Sequence, residues 1–112
     1  MYIYNAHVVS VYDGDTITAD VDLGFRIEVR SLKIRFYGIN APEVRGVSRP
    51  DGIIARDALR ARILGKDIVL QTLKDTQEKY GRWLGIVEID GENINDWMVA
   101  NGYAVPYMID VS

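Results

Sequence analysis

Arg35-Phe36-Tyr37-Gly38-Ile39-Asn40-Ala41-Pro42-Glu43 reads as the end of a strand entering a rigid turn. Strand side chains alternate, so Ile34 and Phe36 point to one face and Lys33, Arg35 and Tyr37 to the other. Arg35 is therefore expected to leave the core and meet solvent or a ligand. Gly38 permits a bend that other residues resist, while Pro42 fixes its own φ and holds Ala41 extended. Glu43 follows on a stiff connection. A guanidinium suits a phosphate because its planar fork donates in pairs, and a nearby carboxylate suits a metal, a water or a base role. The plainer alternative is an Arg35–Glu43 ion pair at a strand end.

Upstream of this stretch, residues 3–12 are rich in Val, Ile and Tyr and read as a first strand ending at the Asp13 turn. Ile17, Ala19 and Val21 alternate with polar partners, and Asp22-Leu23-Gly24 is a plausible hairpin turn. Phe25, Ile27 and Val29 continue in odd phase, then Leu32, Ile34 and Phe36 in even phase. A one-residue phase change turns every side chain over, so a bulge or bend is required near Arg30-Ser31. Downstream, residues 50–64 read as a helix with Asp51 as N-cap, Ile54, Ala58 and Ala61 on one face, and Gly65 as its stop. Residues 67–73 and 83–89 are strands, the second closed by an Asp90-Gly91 turn. Asn95 is placed to cap a short helix carrying Trp97, Met98 and Val99 and ending at Gly102, before a last extended piece at residues 103–107. Trp83, Trp97 and the apolar tyrosines are expected in the core. His7, the lone histidine, has no predictable partner and reads as a strand-surface residue. Five strands with a helix between the third and fourth is the order of an OB-type barrel. Periodicity alone reaches only a small α+β domain with a curled antiparallel sheet.

The 112 residues suffice for one domain, residues 1–112, with a real core and no staples. Hydrophobic content of 48% and charged content of 26% are those of an ordinary globular chain. No apolar run approaches a membrane span, and the first residues show neither the basic nor the apolar region of a secretory signal. A cytoplasmic protein, or one encoded by a phage or mobile element, is the expectation. Without cysteine there is no disulfide partner and no thiolate metal site. A net charge of −3 argues against binding nucleic acid through bulk electrostatics alone. Residues 44–66 nevertheless carry +4 while the remainder carries −7. A solvated helix face is the commoner fate of such charges. A phosphate-tracking edge through Arg45, Arg49 and Arg56 is the sharper one, because the segment follows Glu43 directly.

Two further stretches complete the pattern: Asp13-Gly14-Asp15-Thr16 before the opening segment and Glu78-Lys79-Tyr80-Gly81-Arg82 after it. Each is ordinary alone. In this order, the three together resemble the staphylococcal nuclease-like (thermonuclease) family, with its Asp-Gly-Asp-Thr, its Arg-(four residues)-Asp-x-Pro-Glu and its Lys-Tyr-Gly-Arg. The resemblance runs from about Val8 to about Tyr107. It implies a five-stranded OB-fold-type β-barrel with two helices, and because the chain stops soon after Tyr107 the family's third, C-terminal helix is expected to be absent. The hairpin between Thr16 and Arg35 is also several residues longer than in the family type.

Phosphodiester hydrolysis needs a nucleophilic water, charge neutralisation at the phosphate and help for the departing oxygen. Asp13 and Asp15 supply hard oxygens at a spacing compatible with one metal, and oxygen donors without Cys or His favour Ca²⁺ or Mg²⁺ over transition metals. Arg35 and Arg82 offer two bidentate forks for one phosphate, and Glu43 is placed to orient or deprotonate a water. The resemblance implies a small Ca²⁺-dependent endonuclease, Mg²⁺ being the less favoured ion, that cuts DNA and RNA as a monomer. It implies Arg35, Glu43 and Arg82 as catalytic residues and Asp13, Asp15, Asn40 and Ala41 around the metal. Lys79 and Tyr80 match positions that contact a terminal phosphate, and Tyr107 is a candidate for the base pocket. The chain departs from the family in two places. Asn40 stands where the family has a second metal-binding Asp, and Ala41 replaces a commoner Thr. The alternative reading is a catalytically weak or inactive module of the same fold that binds nucleic acid or protein.

Overall fold

A computed structural model describes residues 2–77 and 81–107 of the chain. Lys79 and Tyr80 fall outside the described residues. The elements run β1 (Tyr2–Asp13), β2 (Thr16–Gly24), β3 (Ile27–Phe36), β4 (Ile39–Asn40), a 3₁₀ turn (Gly46–Ser48), α1 (Arg49–Ile63), β5 (Asp67–Gln77), β6 (Trp83–Ile89), β7 (Glu92–Asn93), α2 (Ile94–Ala100) and β8 (Val105–Pro106).

Strands β1, β2, β3, β5 and β6 form a closed barrel. β1 pairs antiparallel with both β2 and β5, and β5 with β6. The circle closes through a short parallel seam in which Ile34, Arg35 and Phe36 lie opposite Trp83, Leu84 and Gly85. The result is the expected α+β barrel of OB type with two helices, with one parallel pairing where a purely antiparallel sheet was anticipated.

Curvature comes from bulges. Across β2 and β3, Ala19 faces Leu32 and Val21 faces Val29, so Arg30 and Ser31 together oppose Asp20. This is the irregularity that the phase change at Arg30-Ser31 required. Ser31 takes a positive φ of 57°, and its N–H is satisfied by an Asp20 carboxylate oxygen at 2.8 Å. The apolar residues beyond it are not drawn inside: Ile27 and Val29 are exposed, and Phe25 is 97% exposed at the hairpin tip. The turn itself is Phe25-Arg26, both at positive φ, rather than Asp22-Leu23-Gly24. Two further bulges in β1 leave Val9 and Tyr12 as extra residues against β2.

Within the barrel, Val8, Ile17, Ile34, Phe36, Leu70 and Val87 are fully buried, with Leu59 and Ile63 of α1 packed among them. The buried face of α1 is Gly52, Ala55, Leu59 and Ile63. The expected face of Ile54, Ala58 and Ala61 is wrong: Ile54 and Ala61 are exposed, because the helix turns the Gly52, Ala55, Leu59 and Ile63 stripe to the barrel instead. Ser48, not Asp51, precedes the helix as N-cap, and Asp51 lies in the first turn, where a carboxylate interacts favourably with the positive end of the helix dipole. Gly65 ends the helix at a φ of 73° as expected. Asn93 is the N-cap of α2, its side chain accepting from the Asp96 N–H at 3.0 Å. Asn95 is buried instead, and its amide holds the Tyr37 and Gly85 carbonyls and the Val87 N–H. Trp97 packs partly buried against Tyr103, with the Arg62 guanidinium over its ring. Tyr2 and Tyr12 are exposed, contrary to the core placement expected of the apolar tyrosines. Edge and bulge positions, unlike central ones, leave an aromatic on the surface. His7 lies on the strand surface as read, paired with Asp67 at 2.8 Å.

Candidate active site

The Asp13–Thr16 turn joins β1 to β2 at one end of the barrel, beside the β3–β4 connection. Gly14 makes the approach possible: a Cβ there would meet the Cβ atoms of Ala41 and Ala55 at 2.8 and 2.9 Å. The Asp15 carbonyl accepts the Phe36 N–H at 2.7 Å, and Thr16 pairs in register with Arg35. Asp15 is thereby carried inward and is 4% exposed. One of its carboxylate oxygens accepts the Ala41 N–H at 2.8 Å and lies 3.3 Å from the Arg35 guanidinium, while the other accepts the Thr16 hydroxyl at 3.1 Å.

Arg35 does not project into solvent as strand alternation predicted; it is 8% exposed. The β3–β4 turn folds back over the side chain and supplies the polar surroundings a buried cation requires. Its Nη1 donates to the Phe36 and Ile39 carbonyls at 2.9 and 3.0 Å, and its Nη2 to the Asn40 side-chain oxygen at 3.3 Å. The plain alternative, an ion pair with Glu43, is replaced by one with Asp15. Arg82 reaches the same knot from the far side of the seam, its Nη1 donating to the Thr16 hydroxyl at 3.3 Å. A continuous polar chain therefore runs Arg82–Thr16–Asp15–Arg35–Asn40. Thr16 is the link that motif reading passed over; only the barrel register reveals it.

Asp13 completes the turn, one carboxylate oxygen accepting the Asp15 N–H at 3.0 Å. Burial away from water, and then the neighbouring Asp15 carboxylate, push its carboxyl from 3.8 up to about 7. Glu43 is exposed and joins Asp13, Thr16 and Arg82 on the wall of a cleft of about 820 Å³. Its backbone is seated directly on α1. A Cβ at Gly52 would fall 1.9 Å from the Glu43 carbonyl oxygen, so residue 52 positions Glu43 by having no side chain. No sequence pattern marks that glycine. Tyr107 is held by its N–H to the Gly38 carbonyl at 2.8 Å, next to the β4–β8 pairing of Asn40 with Val105. It is 49% exposed and does not line the cleft.

Among the described residues no three His, Cys, Asp or Glu side chains gather as a metal-holding group. The donors present are two carboxylates and one amide oxygen, all hard. Burial, and then the neighbouring Asp15 carboxylate, raise the Asp13 carboxyl to about 7, and a bound cation would oppose both. The donor set fits a hard divalent ion, with little negative charge to spare. Ala41 meets the site through its N–H, which Asp15 takes.

A closed mixed barrel with two helices and an acid–arginine knot at one end defines an OB-type barrel of the nuclease kind. The family described as staphylococcal nuclease homologue matches residues 33–112, and the chain belongs to that family. Endonuclease YhcR of Bacillus subtilis (strain 168) is 32% identical over 116 residues, covering 95% of this chain and 9% of that protein. Probable endonuclease LCL3 of Schizophyllum commune is 31% identical over 91 residues, 70% of this chain and 30% of its own length. Thermonuclease of Staphylococcus hyicus is 28% identical over 100 residues, 87% and 56% respectively. The chain thus spans from under a tenth to just over half of the length of these relatives.

Proposed function

We propose that the chain hydrolyses phosphodiester bonds of DNA and RNA with a bound divalent cation, calcium before magnesium. Asp13, Asp15 and the Asn40 side-chain oxygen would hold the ion, which supplies Lewis-acid polarisation of the phosphate and of water when bound. Arg82 donates to a phosphate oxygen that gains charge as the bond breaks. Arg35, packed beneath, keeps Asp15 and Asn40 in place and adds its positive charge behind the same oxygen. Glu43 orients the attacking water and accepts its proton. Lys79 and Tyr80, which precede Arg82, contact a terminal phosphate.

One observation carries the reading: Arg82, Thr16, Asp15, Arg35 and Asn40 are joined by hydrogen bonds and the Asp15–Arg35 ion pair into one polar chain beside a cleft walled by Glu43. Membership of a family whose named relatives include endonucleases supports it. A second reading, a weak or inactive nucleic-acid-binding module, is favoured by the two-carboxylate metal site and by the burial of Arg35. Cleavage of plasmid and single-stranded DNA with Ca²⁺, lost on adding EGTA, is expected of the first. Undiminished cleavage in chelator sinks the metal role, and no cleavage with any cation selects the second.

A further inference from the structure

The cleft extends well past the reacting groups. Its floor is the outer face of the barrel at Thr18 and Lys33, and its far wall is the side of α1 carrying Arg56 and Arg60. Arg45 lines it as well, two residues beyond Glu43. Five cations line this space against two carboxylates, Asp13 and Glu43, in a chain whose net charge is −3. Arg60 is committed to structure, its guanidinium donating to the Val11 carbonyl at 3.2 and 3.3 Å. Arg56 spends its Nε on Asp57 at 3.1 Å, and among the described residues the Arg45 and Lys33 side chains have no partner. At the lip stands Tyr12, 54% exposed, the extra residue of a β1 bulge between Val11 and Asp13. Bulges beside functional sites re-aim side chains, and this one presents an aromatic ring to a cationic groove. Cations that follow a backbone beside a ring that stacks on a base are what single-stranded nucleic acid requires; a duplex hides its base faces.

We propose that this β1–α1 cleft is a second subsite, in which Arg45 and Arg56 meet the phosphates flanking the scissile one and Tyr12 stacks on a base. The proposal rests on the nuclease reading for the position of the reacting phosphate. Arg49 and Arg62, on the same basic segment, take no part: neither lines the cleft, and Arg62 is turned to Glu92 and Trp97.

Binding of a fluorescent single strand of about 12 nucleotides, followed by anisotropy in EDTA, reads the subsite whether or not the protein cleaves. Arg45→Gln with Arg56→Gln is expected to weaken binding roughly tenfold and to lower the slope of log K against log salt by about 1.4, for two phosphates at about 0.7 each on a single strand. The Lys pair at the same positions keeps the slope and so shows that folding is intact. Tyr12→Ala is expected to weaken the single strand on the order of tenfold while leaving the salt slope alone. Binding of a dinucleotide should change less than twofold in all three. Wild-type affinity and slope in the double Gln variant overturns the subsite. So do equal losses for dinucleotide and oligonucleotide, a duplex bound as tightly as the single strand through Tyr12, or a wild-type protein that does not bind the oligonucleotide. Absence of cleavage by a wild-type protein that binds as described defeats the nuclease reading alone.

Discussion

Gly52→Ala sets two effects of opposite sign against each other. In an exposed helix interior, alanine in place of glycine stabilises by about 1 kcal/mol. At this position the added Cβ would lie 1.9 Å from the Glu43 carbonyl oxygen, 2.4 Å from its carbonyl carbon and 2.8 Å from the Val44 nitrogen. An unstrained carbon–oxygen approach is about 3.3 Å, so the Glu43 backbone has to retreat by about 1.4 Å. All three obstacles are backbone, so no side-chain rotation relieves the clash. Forcing an extra methyl into packed structure costs about 1–3 kcal/mol, which matches or exceeds the propensity gain. With Glu43 in its proposed role the larger consequence falls on chemistry, since displacing a reacting group by about 1 Å costs roughly 10²-fold. Steady-state cleavage of an oligonucleotide with saturating Ca²⁺ should therefore show kcat lowered by about 10². Thermal melting should show a Tm unchanged or lowered by a few degrees. Full activity with a raised Tm would refute the reasoning, because only a loop that does not press on the helix leaves the propensity gain uncovered.

Three other outcomes are expected. Arg82→Lys keeps the charge but loses the fork, and should cost on the order of 10²–10³ in kcat with an intact fold; near-full turnover would make Arg82 a structural residue. Arg82 is the better test than Arg35, because breaking the buried Arg35–Asp15 pair would itself cost about 3–5 kcal/mol of stability. Asn40→Asp adds a formal charge to the donor set, so calorimetry should show tighter Ca²⁺ binding and the metal-free melt a lower Tm from like-charge crowding; an unchanged dissociation constant removes residue 40 from the metal site. For Asp13, the folded carboxyl titrates near 7 against 3.8 unfolded, so the metal-free folded state holds the extra proton between these values. Its contribution to stability is full below about pH 3.8 and is lost as pH rises through 7, so Asp13→Asn should flatten the fall of Tm across that window in EDTA.

What could be read from the chain follows from which interactions are local. The β2–β3 bulge was legible because a phase change in hydrophobic alternation has one structural remedy, and Gly65 because a helix stop depends on its neighbours alone. The helix face was misread because only Leu59 and Ile63, at its C-terminal end, carry a hydrophobic signal on the buried side, while Gly52 and Ala55 at its start carry none. Asn93 and Asn95 offer the same capping chemistry, and only the distant Tyr37 and Gly85 carbonyls decide which of them turns inward. The motif residues Asp15, Arg35, Asn40 and Arg82 come together as the resemblance implied, but the burial of Arg35 depends on a turn folding back over it. Lys79 and Tyr80 lie outside the described residues.

The seam between Ile34–Phe36 and Trp83–Gly85 joins segments 49 residues apart. Such a contact is entropically expensive to nucleate, since a long stretch of chain is immobilised before the pairing returns any energy. Arg35 reaches the Thr16–Asp15 link through the β2–β3 hairpin, but Arg82 is the residue immediately before the seam and meets that link only once the two edges have found each other. Hairpin β1–β2 and helix α1 depend on nearer neighbours and are free to form earlier. During refolding, ellipticity should therefore recover ahead of catalytic competence, and the lag between the two signals is the time the chain takes to join its ends into a tube.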